Sequence, residues 1–350
     1  MSTSLGILTP LPSRVAIGDG EGLDGYLERL AAANDLSTAV LRRYLASTLR
    51  ADRPSWAFFM VKPDPSLLET ISRIGGVDRS SLGNATLARF DNGYPLFLDG
   101  LDPRRRHTFR RIVAQGWFPP HGSQVCPECL AHDEIWQLAW RLPLLTACTT
   151  HKVFLITECL GCGQRFRRRR HSPMRPDLGP TQPCGNPLGP QRYCGHSVLA
   201  HKAQSAPFAV LEVAHAVNQA IYGQQATMLG VRADPQTYLA GLRHVAALLL
   251  HLLLRAQDSE SVNCDMESRS EAFHRATTTR GPRWDISPPK CAVLRGRALA
   301  EAHAILCQPT LGDADARLAK WLTPIAGISS GPAILRALLD EVIAPRRLSV

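Results

Sequence analysis

Eight metal-capable side chains between residues 126 and 194 constrain this chain more than any other feature of its sequence. The stretch "CPECLAHDEIWQLAW" opens with a C-x2-C pair, Cys126 and Cys129, and the next metal-capable pair is Cys148 and His151 in "CTTHK". The full spacing, C-x2-C-x18-C-x2-H, suits one tetrahedral zinc ion held by three thiolates and an imidazole. We therefore expect a structural zinc site at these four residues.

A second set of ligands follows directly. Cys159 and Cys162 form a C-x2-C pair in "ECLGCGQRF", and Cys184 and Cys194 complete the pattern C-x2-C-x21-C-x9-C. His196 could replace Cys194 as the fourth ligand, and the spacing alone leaves that alternative open. The remaining cysteines are widely spaced, and we interpret them as ordinary thiols: Cys264, Cys291 and Cys307. The cofactor prediction is thus two structural zinc ions.

Both predicted sites have a complete set of four protein ligands, whereas a catalytic zinc usually keeps one position open. The "HDE" stretch at residues 132–134 resembles part of the zinc-deaminase signature. In that signature, however, H-x-E precedes P-C-x-x-C, and here the order is reversed. We expect no catalytic residues and no enzyme activity.

Apolar side chains recur at helical spacing after the first cysteine pair. They are Ile135, Leu138 and Leu142, with Trp136 and Trp140 four residues apart. This period predicts an amphipathic helix that packs on the zinc module.

The basic charge of the chain is concentrated in its middle. The formal charge is +10, and residues 101–202 hold fifteen lysines and arginines against six acidic residues. Two arginine runs flank the cysteine pairs, and such runs next to rigid modules favour a phosphate-contacting surface over a merely solvated face. The candidate residues are Arg104, Arg105, Arg106, Arg110 and Arg111 in the first run, and Arg165, Arg167, Arg168, Arg169 and Arg170 in the second.

The N-terminal third is typical of short helices. A helical pattern in "GLDGYLERLAAANDLSTAVLRRYLAS" breaks near Asn34 and Asp35. Further on, a helix from Pro65 to Ile74 should end at a Gly-Gly pair, and a second should start after Asp78 as its N-cap. Helix, glycine turn, helix is the outline of a helix-turn-helix unit, although packing hairpins share it. The DNA-reading candidates on the second helix are Arg79 and Asn84.

The fold class predicted from these patterns is mainly α. We expect a helix-turn-helix-like N-terminal part at 1–104 and a tandem zinc-finger basic module with short strands at 105–204. A C-terminal helical domain should fill 205–350, with a polar linker near 257–290. No apolar stretch is long enough to span a bilayer, and the N-terminus lacks the basic region of a secretory signal. We therefore expect a cytoplasmic protein without a membrane partner, in which cysteines favour metal binding over disulfides.

In the order of these motifs the chain resembles the TniQ family of transposition accessory proteins. The residues that carry the resemblance are "LPSRVAIGDGEGLDGYLERLAAAN", the helix pair, and "QVCPECLAHDEIWQLAWRLPLLTACTTHKVFLITECLGCGQRF". The resemblance implies target-site selection beside an AAA+ ATPase and a DDE-type transposase, and in some relatives an RNA-guided complex. It places the metal ligands on the eight residues named above. One departure affects the turn after the fourth ligand, where Lys152 stands in place of the family's usual glycine.

Two functions are compatible with these motifs. The first is a non-enzymatic, zinc-containing DNA-binding adaptor that contributes to target-site selection and recruits the transposition ATPase and transposase. The second is a zinc-containing helix-turn-helix transcription regulator that acts alone at an operator. The target sequence, the RNA-guided partner and a homodimer are left open by the sequence.

Overall fold

The computed structural model describes residues 9–48, 58–102, 105, 107–118, 122–168, 174–176, 182–255 and 283–322 of the 350-residue chain. The protein is mainly helical with a few short strands, as the sequence predicts. Its α-helices are α1 (Leu23–Ala32), α2 (Thr38–Thr48), α3 (Pro65–Gly75), α4 (Arg79–Asn84), α5 (Thr108–Val113), α6 (Pro127–Asp133), α7 (Phe208–Ile221), α8 (Pro235–Arg255), α9 (Ala292–Leu306) and α10 (Leu311–Leu322). Its strands are β1 (Ala147–Cys148), β2 (Val153–Phe154), β3 (Pro187–Gly189), β4 (Arg192–Tyr193), β5 (Ala226–Met228) and β6 (Val231–Ala233).

The N-terminal helices follow the sequence pattern closely. α1 and α2 are separated at the predicted break, where Asp35 adopts a left-handed conformation with φ of 54°. α3 ends at Gly76, whose backbone is left-handed. Glycine adopts this conformation readily because it has no Cβ atom to clash. The Asp78 carboxylate accepts a hydrogen bond from the backbone N–H of Ser81 at 2.9 Å and caps α4. The predicted helix pair with its glycine turn is therefore present.

The central module consists of two small antiparallel ribbons. β1 pairs with β2, and β3 pairs with β4, each around one cysteine-rich cluster. Isolated bridges join Val125 to Ile156 and Ser123 to Phe166, so that the chain before the first cluster runs beside the chain that surrounds the second. The two clusters are thus parts of one interleaved module.

The prediction of a helix over residues 135–142 is wrong. α6 ends at Asp133 because Glu134 turns into a left-handed conformation with φ of 56°, and only a 3-10 turn, Leu138–Arg141, follows. The predicted packing is nevertheless present, since Trp136 and Trp140 are both buried and meet edge to face. Apolar residues at this spacing are as typical of an irregular segment that is buried on several sides as they are of an amphipathic helix.

The C-terminal helices pack as a bundle in which α9 lies against α7 and α8. Leu249 and Leu252 are buried in it, so these leucines fill the core. Arg295 of α9 is buried and donates to the Pro143 carbonyl at 3.1 Å and to the Gln124 side chain. The bundle therefore docks on the central module. In the described part of the chain, no helix is long and apolar enough to cross a membrane.

Candidate metal centres and basic surface

The first cluster brings together the four residues that the spacing predicts. The Sγ atoms of Cys129 and Cys148 are 3.5 Å apart, and the Nδ1 atom of His151 lies 3.6 Å from the Sγ atoms of both Cys126 and Cys148. A tetrahedral zinc with Zn–S near 2.3 Å and Zn–N near 2.0 Å requires edges of about 3.5–3.8 Å. The Cys129 Sγ and His151 Nδ1 atoms are closer, at 3.1 Å. The four ligand atoms thus surround one point, as the ligands of a tetrahedral ion do, with His151 facing it through Nδ1.

The second cluster also brings four ligand atoms close together, and all four are cysteine thiols. The Sγ atoms of Cys159 and Cys194 are 3.8 Å apart, and those of Cys162 and Cys184 are 4.0 Å apart. All four ligand atoms lie within 4.8 Å of one another, as they also do in the first cluster. The structure thus favours Cys194 over His196, whose ring instead packs against that of His201.

Polar side chains around the second cluster fix its shape. The Asn186 amide donates to the Cys162 Sγ atom at 3.6 Å and to the Arg165 carbonyl at 2.9 Å. The Leu160 N–H donates to the His201 Nε2 atom at 3.0 Å, and the Nδ1 atom of His201 faces the Ser197 carbonyl at 3.1 Å. This pattern selects the neutral imidazole with its proton on Nδ1. Such supporting groups orient metal ligands, and sequence spacing gave no sign of them.

Two thiols of the second cluster, those of Cys159 and Cys184, are poorly suited to ionise without a metal ion. Burial raises the pKa of Cys159 to about 11, and burial together with the neighbouring Cys159 raises the pKa of Cys184. Burial would also raise the pKa of Cys162, but hydrogen bonds from the Asn186 amide and the Gln164 N–H outweigh it and lower that pKa. A divalent cation reverses the effect of burial, since it stabilises the thiolates that coordinate it. The donor set therefore matches a dication.

The turn after the first cluster keeps the backbone geometry of a glycine. Lys152 has φ of 56°, in the left-handed region, although its side chain carries a Cβ. Lys152 therefore adopts the left-handed backbone conformation that favours glycine. Cys291 and Cys307 lie outside both clusters, and Cys264 lies outside the described residues.

One member of the second arginine run is not on the surface. The Arg167 side chain is buried, and its guanidinium donates to Glu28 at 2.8 Å through each of two nitrogens and to Asp24 Oδ2 at 2.6 Å. The plane of the guanidinium also lies over the Trp136 ring, at 4.2 Å from its centroid. Arg167 is therefore committed inside the protein, and the expectation that it contacts phosphate is corrected.

Arg167 belongs to a buried network of two carboxylates and three guanidiniums. Arg141 donates to Asp24, and Arg175 donates to Glu28 from Nε at 2.9 Å. Burial would raise the pKa of Asp24, but the charges of Arg141 and Arg167 outweigh it and hold that pKa below its usual range. The acids come from α1 and the arginines from the central module, so the network fastens the two together.

The other arginine candidates divide into two groups. In the described part of the chain, these are exposed or half-buried: Arg79, Arg105, Arg110, Arg111, Arg165 and Arg168. Arg104, Arg106, Arg169 and Arg170 lie outside the described residues. Arg110 and Arg111 project from α5, which is anchored by Phe109 packing edge to face on Phe58 and Phe118. Arg110 and Arg111 therefore stand on an anchored helix.

The helix pair exposes both DNA-reading candidates. Asn84 and Arg79 are on the surface of α4, and an Arg79 guanidinium nitrogen lies 3.7 Å from a Glu69 carboxylate oxygen. α4 has only six residues, and the Asp78 carboxylate stands at its start. A role of this pair in DNA recognition stays a prediction.

The sequence signal for the buried network was present but weak. Asp24 and Glu28 are four residues apart on a helix whose same face carries Leu23 and Leu27. Two acids on an apolar face indicate buried partners, but their arginine partners are more than a hundred residues away. No local pattern could pair them.

Comparison with known protein families supports one assignment. The TniQ family model matches residues 12–155. The match includes the first cluster and stops before the second. A comparison with curated proteins finds no match.

Proposed function

We propose, from the TniQ domain that this chain carries over residues 12–155, that the protein is a zinc-containing, DNA-binding adaptor of transposition. The TniQ family is a family of transposition accessory proteins, which fits a role beside the transposition machinery. The observation that carries the proposal is that one chain combines the TniQ match with two complete four-ligand clusters and exposed arginines. An accessory role in transposition is thereby favoured over a transcription regulator that acts alone.

A structural role for the metal ions is supported by the ligand sets. Each cluster supplies four protein ligands, and a four-coordinate zinc then has no position for water or substrate. The ions would stabilise the fold of the central module, because the strands in its described part are two or three residues long. We accordingly assign zinc to both clusters and no chemistry to either.

DNA contact is assigned to the exposed arginines. Arg110 and Arg111 project from α5, and Arg168 is exposed directly after the buried Arg167. Guanidiniums are well matched to phosphate oxygens, and arginines that stand on anchored elements lose less entropy on binding. Sequence preference, where it exists, is assigned to α4 through Arg79 and Asn84.

Protein partners are assigned from the family. We propose that the adaptor holds an AAA+ ATPase and, through it, a transposase at the chosen DNA site. The C-terminal bundle is the candidate docking surface for the ATPase, because it is added to the TniQ domain and packs on the central module through Arg295. An RNA-guided complex stays a prediction that follows from the family resemblance, and a homodimer is a further open alternative.

The test uses the full-length protein, the ATPase encoded with it, and fluorescently labelled duplex DNA. We expect DNA affinity to fall steeply with salt, with a log–log slope of about −0.9 for each phosphate neutralised. The double variant Arg110→Ala, Arg111→Ala should reduce this slope by about 2 and weaken all sequences alike. Arg232→Ala, an exposed arginine on the β5–β6 hairpin, is the matched control and should leave the slope unchanged.

The same preparation should retain the ATPase on an affinity column with and without DNA. An adaptor must bind both partners. If the protein binds DNA but not the ATPase, or the ATPase but not DNA, the adaptor assignment is overturned. Nuclease or deaminase turnover by the intact protein that is lost in Cys148→Ser would replace it with an enzyme.

A further inference from the structure

α5, which carries Arg110 and Arg111, is too short to fix its own position. It has six residues, Thr108–Val113, and the side chain before it makes no capping hydrogen bond. A helix of this length leaves most of its backbone N–H and C=O groups without partners inside the helix, and isolated helices this short are marginal in water. The orientation of α5, and with it the direction of its two exposed arginines, therefore depends on its neighbours.

One of these neighbours is an arginine of the C-terminal bundle. Arg243 of α8 donates from Nη1 to the Gln115 carbonyl at 2.5 Å and to the Gly116 carbonyl at 3.2 Å. Both carbonyls belong to the turn that directly follows α5. Arg243 is half-buried, and burial lowers the pKa of its guanidinium, so these hydrogen bonds form in a partly desolvated contact where they are stronger than on an open surface. Arg243 thus ties the end of α5 to α8.

A second segment of the C-terminal part meets the same turn through its backbone. The Trp117 N–H donates to the Ile286 carbonyl at 2.8 Å, and the Trp117 indole N–H donates to the Trp284 carbonyl at 2.7 Å. The preceding residue, Gly116, has a φ of 82°, and a Cβ there would lie 2.1 Å from the Asp285 carbonyl oxygen. Glycine is required at this point because any side chain would collide with the opposite backbone. The turn after α5 is therefore built against this segment.

The N-terminal part holds α5 through its aromatic side chain. Phe109 packs edge to face on Phe58 and on Phe118, with ring centroids 5.2 Å and 5.5 Å apart. The Gln115 amide, just after the helix, donates to the Phe97 carbonyl at 2.9 Å. α5 is thus held between the N-terminal part and the C-terminal part. The C-terminal contacts come from residues beyond the TniQ match, which ends at residue 155.

We propose that Arg243 is a positioning residue for DNA binding: through the turn after α5 it sets where Arg110 and Arg111 meet the phosphates. This inference rests on the proposed DNA-binding function. It adds that the C-terminal bundle, besides its proposed role in docking the ATPase, determines the geometry of the DNA-contacting helix. Two neighbouring arginines on one short helix move together, so a shift of α5 displaces both from their phosphates at once. Arg243 itself is assigned no phosphate contact, since its Nη1 group already donates to two carbonyls.

The test uses full-length, zinc-loaded protein and labelled duplex DNA. Arg243→Ala should weaken duplex binding by at least about threefold and lower the salt slope by up to about 2, because both α5 arginines lose their positions. A merely structural role would reduce the fraction of folded protein and leave the salt slope of the remainder unchanged. Arg232→Ala on the β5–β6 hairpin is the matched control and should change neither quantity. Urea unfolding and zinc content show that each variant is folded.

A double-mutant cycle tests whether Arg243 acts through α5. In the Arg110→Ala, Arg111→Ala background, Arg243→Ala should change neither the affinity nor the salt slope further, because the side chains that it positions are gone. A direct phosphate contact by Arg243 would instead lower the slope by about 0.9 in both backgrounds and would overturn the inference. An unchanged slope in Arg243→Ala alone would overturn it as well.

Trp117→Phe tests the same contact independently and keeps a large aromatic ring in the core. It removes the indole N–H that donates to the Trp284 carbonyl. It should therefore lower the salt slope in the wild-type background and not in the background without the α5 arginines. This variant also decides the question if Arg243→Ala does not fold, because a slope equal to that of the wild-type protein then overturns the inference.

These outcomes separate the inference from the proposed function. If Arg110→Ala, Arg111→Ala lowers the slope while Arg243→Ala and Trp117→Phe do not, the positioning role fails and the DNA-binding adaptor stands. If the wild-type protein binds no DNA, both fail.

Discussion

Arg167 and Glu28 form a two-pronged ion pair in which two guanidinium nitrogens each lie 2.8 Å from a carboxylate oxygen, with both side chains buried. The residues are 139 positions apart, on the central module and on α1. Their pairing joins the N-terminal helices directly to the cysteine-rich module.

Removing Arg167 should therefore unfold the protein more readily. Arg167→Ala leaves Asp24 and Glu28 with one guanidinium fewer in a buried site, and breaking such a pair costs about 3–5 kcal/mol. Arg168→Ala, one residue along and exposed, should change the free energy of unfolding by less than about 0.5 kcal/mol. Urea unfolding of the two variants measures the difference. Equal stabilities would contradict the structural role of Arg167.

For DNA binding, we expect Arg168→Ala to have the larger effect and Arg167→Ala the smaller one. Arg168→Ala should reduce the salt slope of duplex binding by about 0.9, because it removes one exposed phosphate contact. Arg167→Ala should leave that slope unchanged in protein that is still folded, since its guanidinium is already paired. Fluorescence anisotropy across a salt series separates the two residues.

The metal content should be close to two zinc ions per chain. Cys129→Ser should lose the ion of the first cluster and Cys184→Ser the ion of the second, because each removes one of four ligands. Cys291→Ser and Cys307→Ser are matched controls outside both clusters and should retain two ions. Elemental analysis of reduced, folded protein gives the count. A metal-free protein of full stability would contradict the assignment.

His201 should make the stability depend on pH near neutrality. Burial, together with the nearby His196, lowers the pKa of His201 below its usual 6.5. A base whose pKa is lowered by folding binds fewer protons in the native state, so its contribution is complete above pH 6.5 and is lost as pH falls toward the lowered pKa. Protonation would also remove the acceptor for the Leu160 N–H.

The urea midpoint of zinc-saturated protein, measured between pH 7.5 and 5.5, tests this expectation. His201→Gln offers an acceptor that does not titrate, and the difference between its profile and that of the wild-type protein should grow as the pH falls. Parallel profiles would show that His201 does not contribute, because the thiolate clusters titrate in both proteins.

Docking of the C-terminal bundle should depend on Arg295. Its guanidinium donates to the carbonyls of Pro143 and Pro289 and to the Gln124 side chain, all within a buried interface. Arg295→Ala leaves these acceptors without a charged donor and should cost about 3 kcal/mol or more. Limited proteolysis should then cut between the central module and the bundle faster than in Arg297→Ala, whose arginine is outside this hydrogen-bond set. Unchanged proteolysis would contradict the role of Arg295.

The sequence by itself predicted the four residues of the first cluster and the Cys159–Cys162 half of the second, since each C-x2-C or C-x2-H pair is a local turn that brings its two side chains together. It also determined most helix positions, including the break at Asp35 and the cap at Asp78, because caps and glycine turns act within a few residues. The tertiary structure alone decided which arginines are buried. A run of arginines looks the same in sequence whether its members face solvent or, as Arg167 does, meet carboxylates from a distant helix.

The choice of Cys194 over His196 was also tertiary. Both residues are within reach of Cys184 along the chain, and only the β3–β4 pairing brings Cys194 to the cluster. The tertiary structure also decided the conformation of residues 135–142. Their apolar side chains are spaced as in a helix, but they are apolar because α1 and the central module enclose this irregular segment. Local rules determine turns and caps, whereas burial depends on what the rest of the chain places nearby.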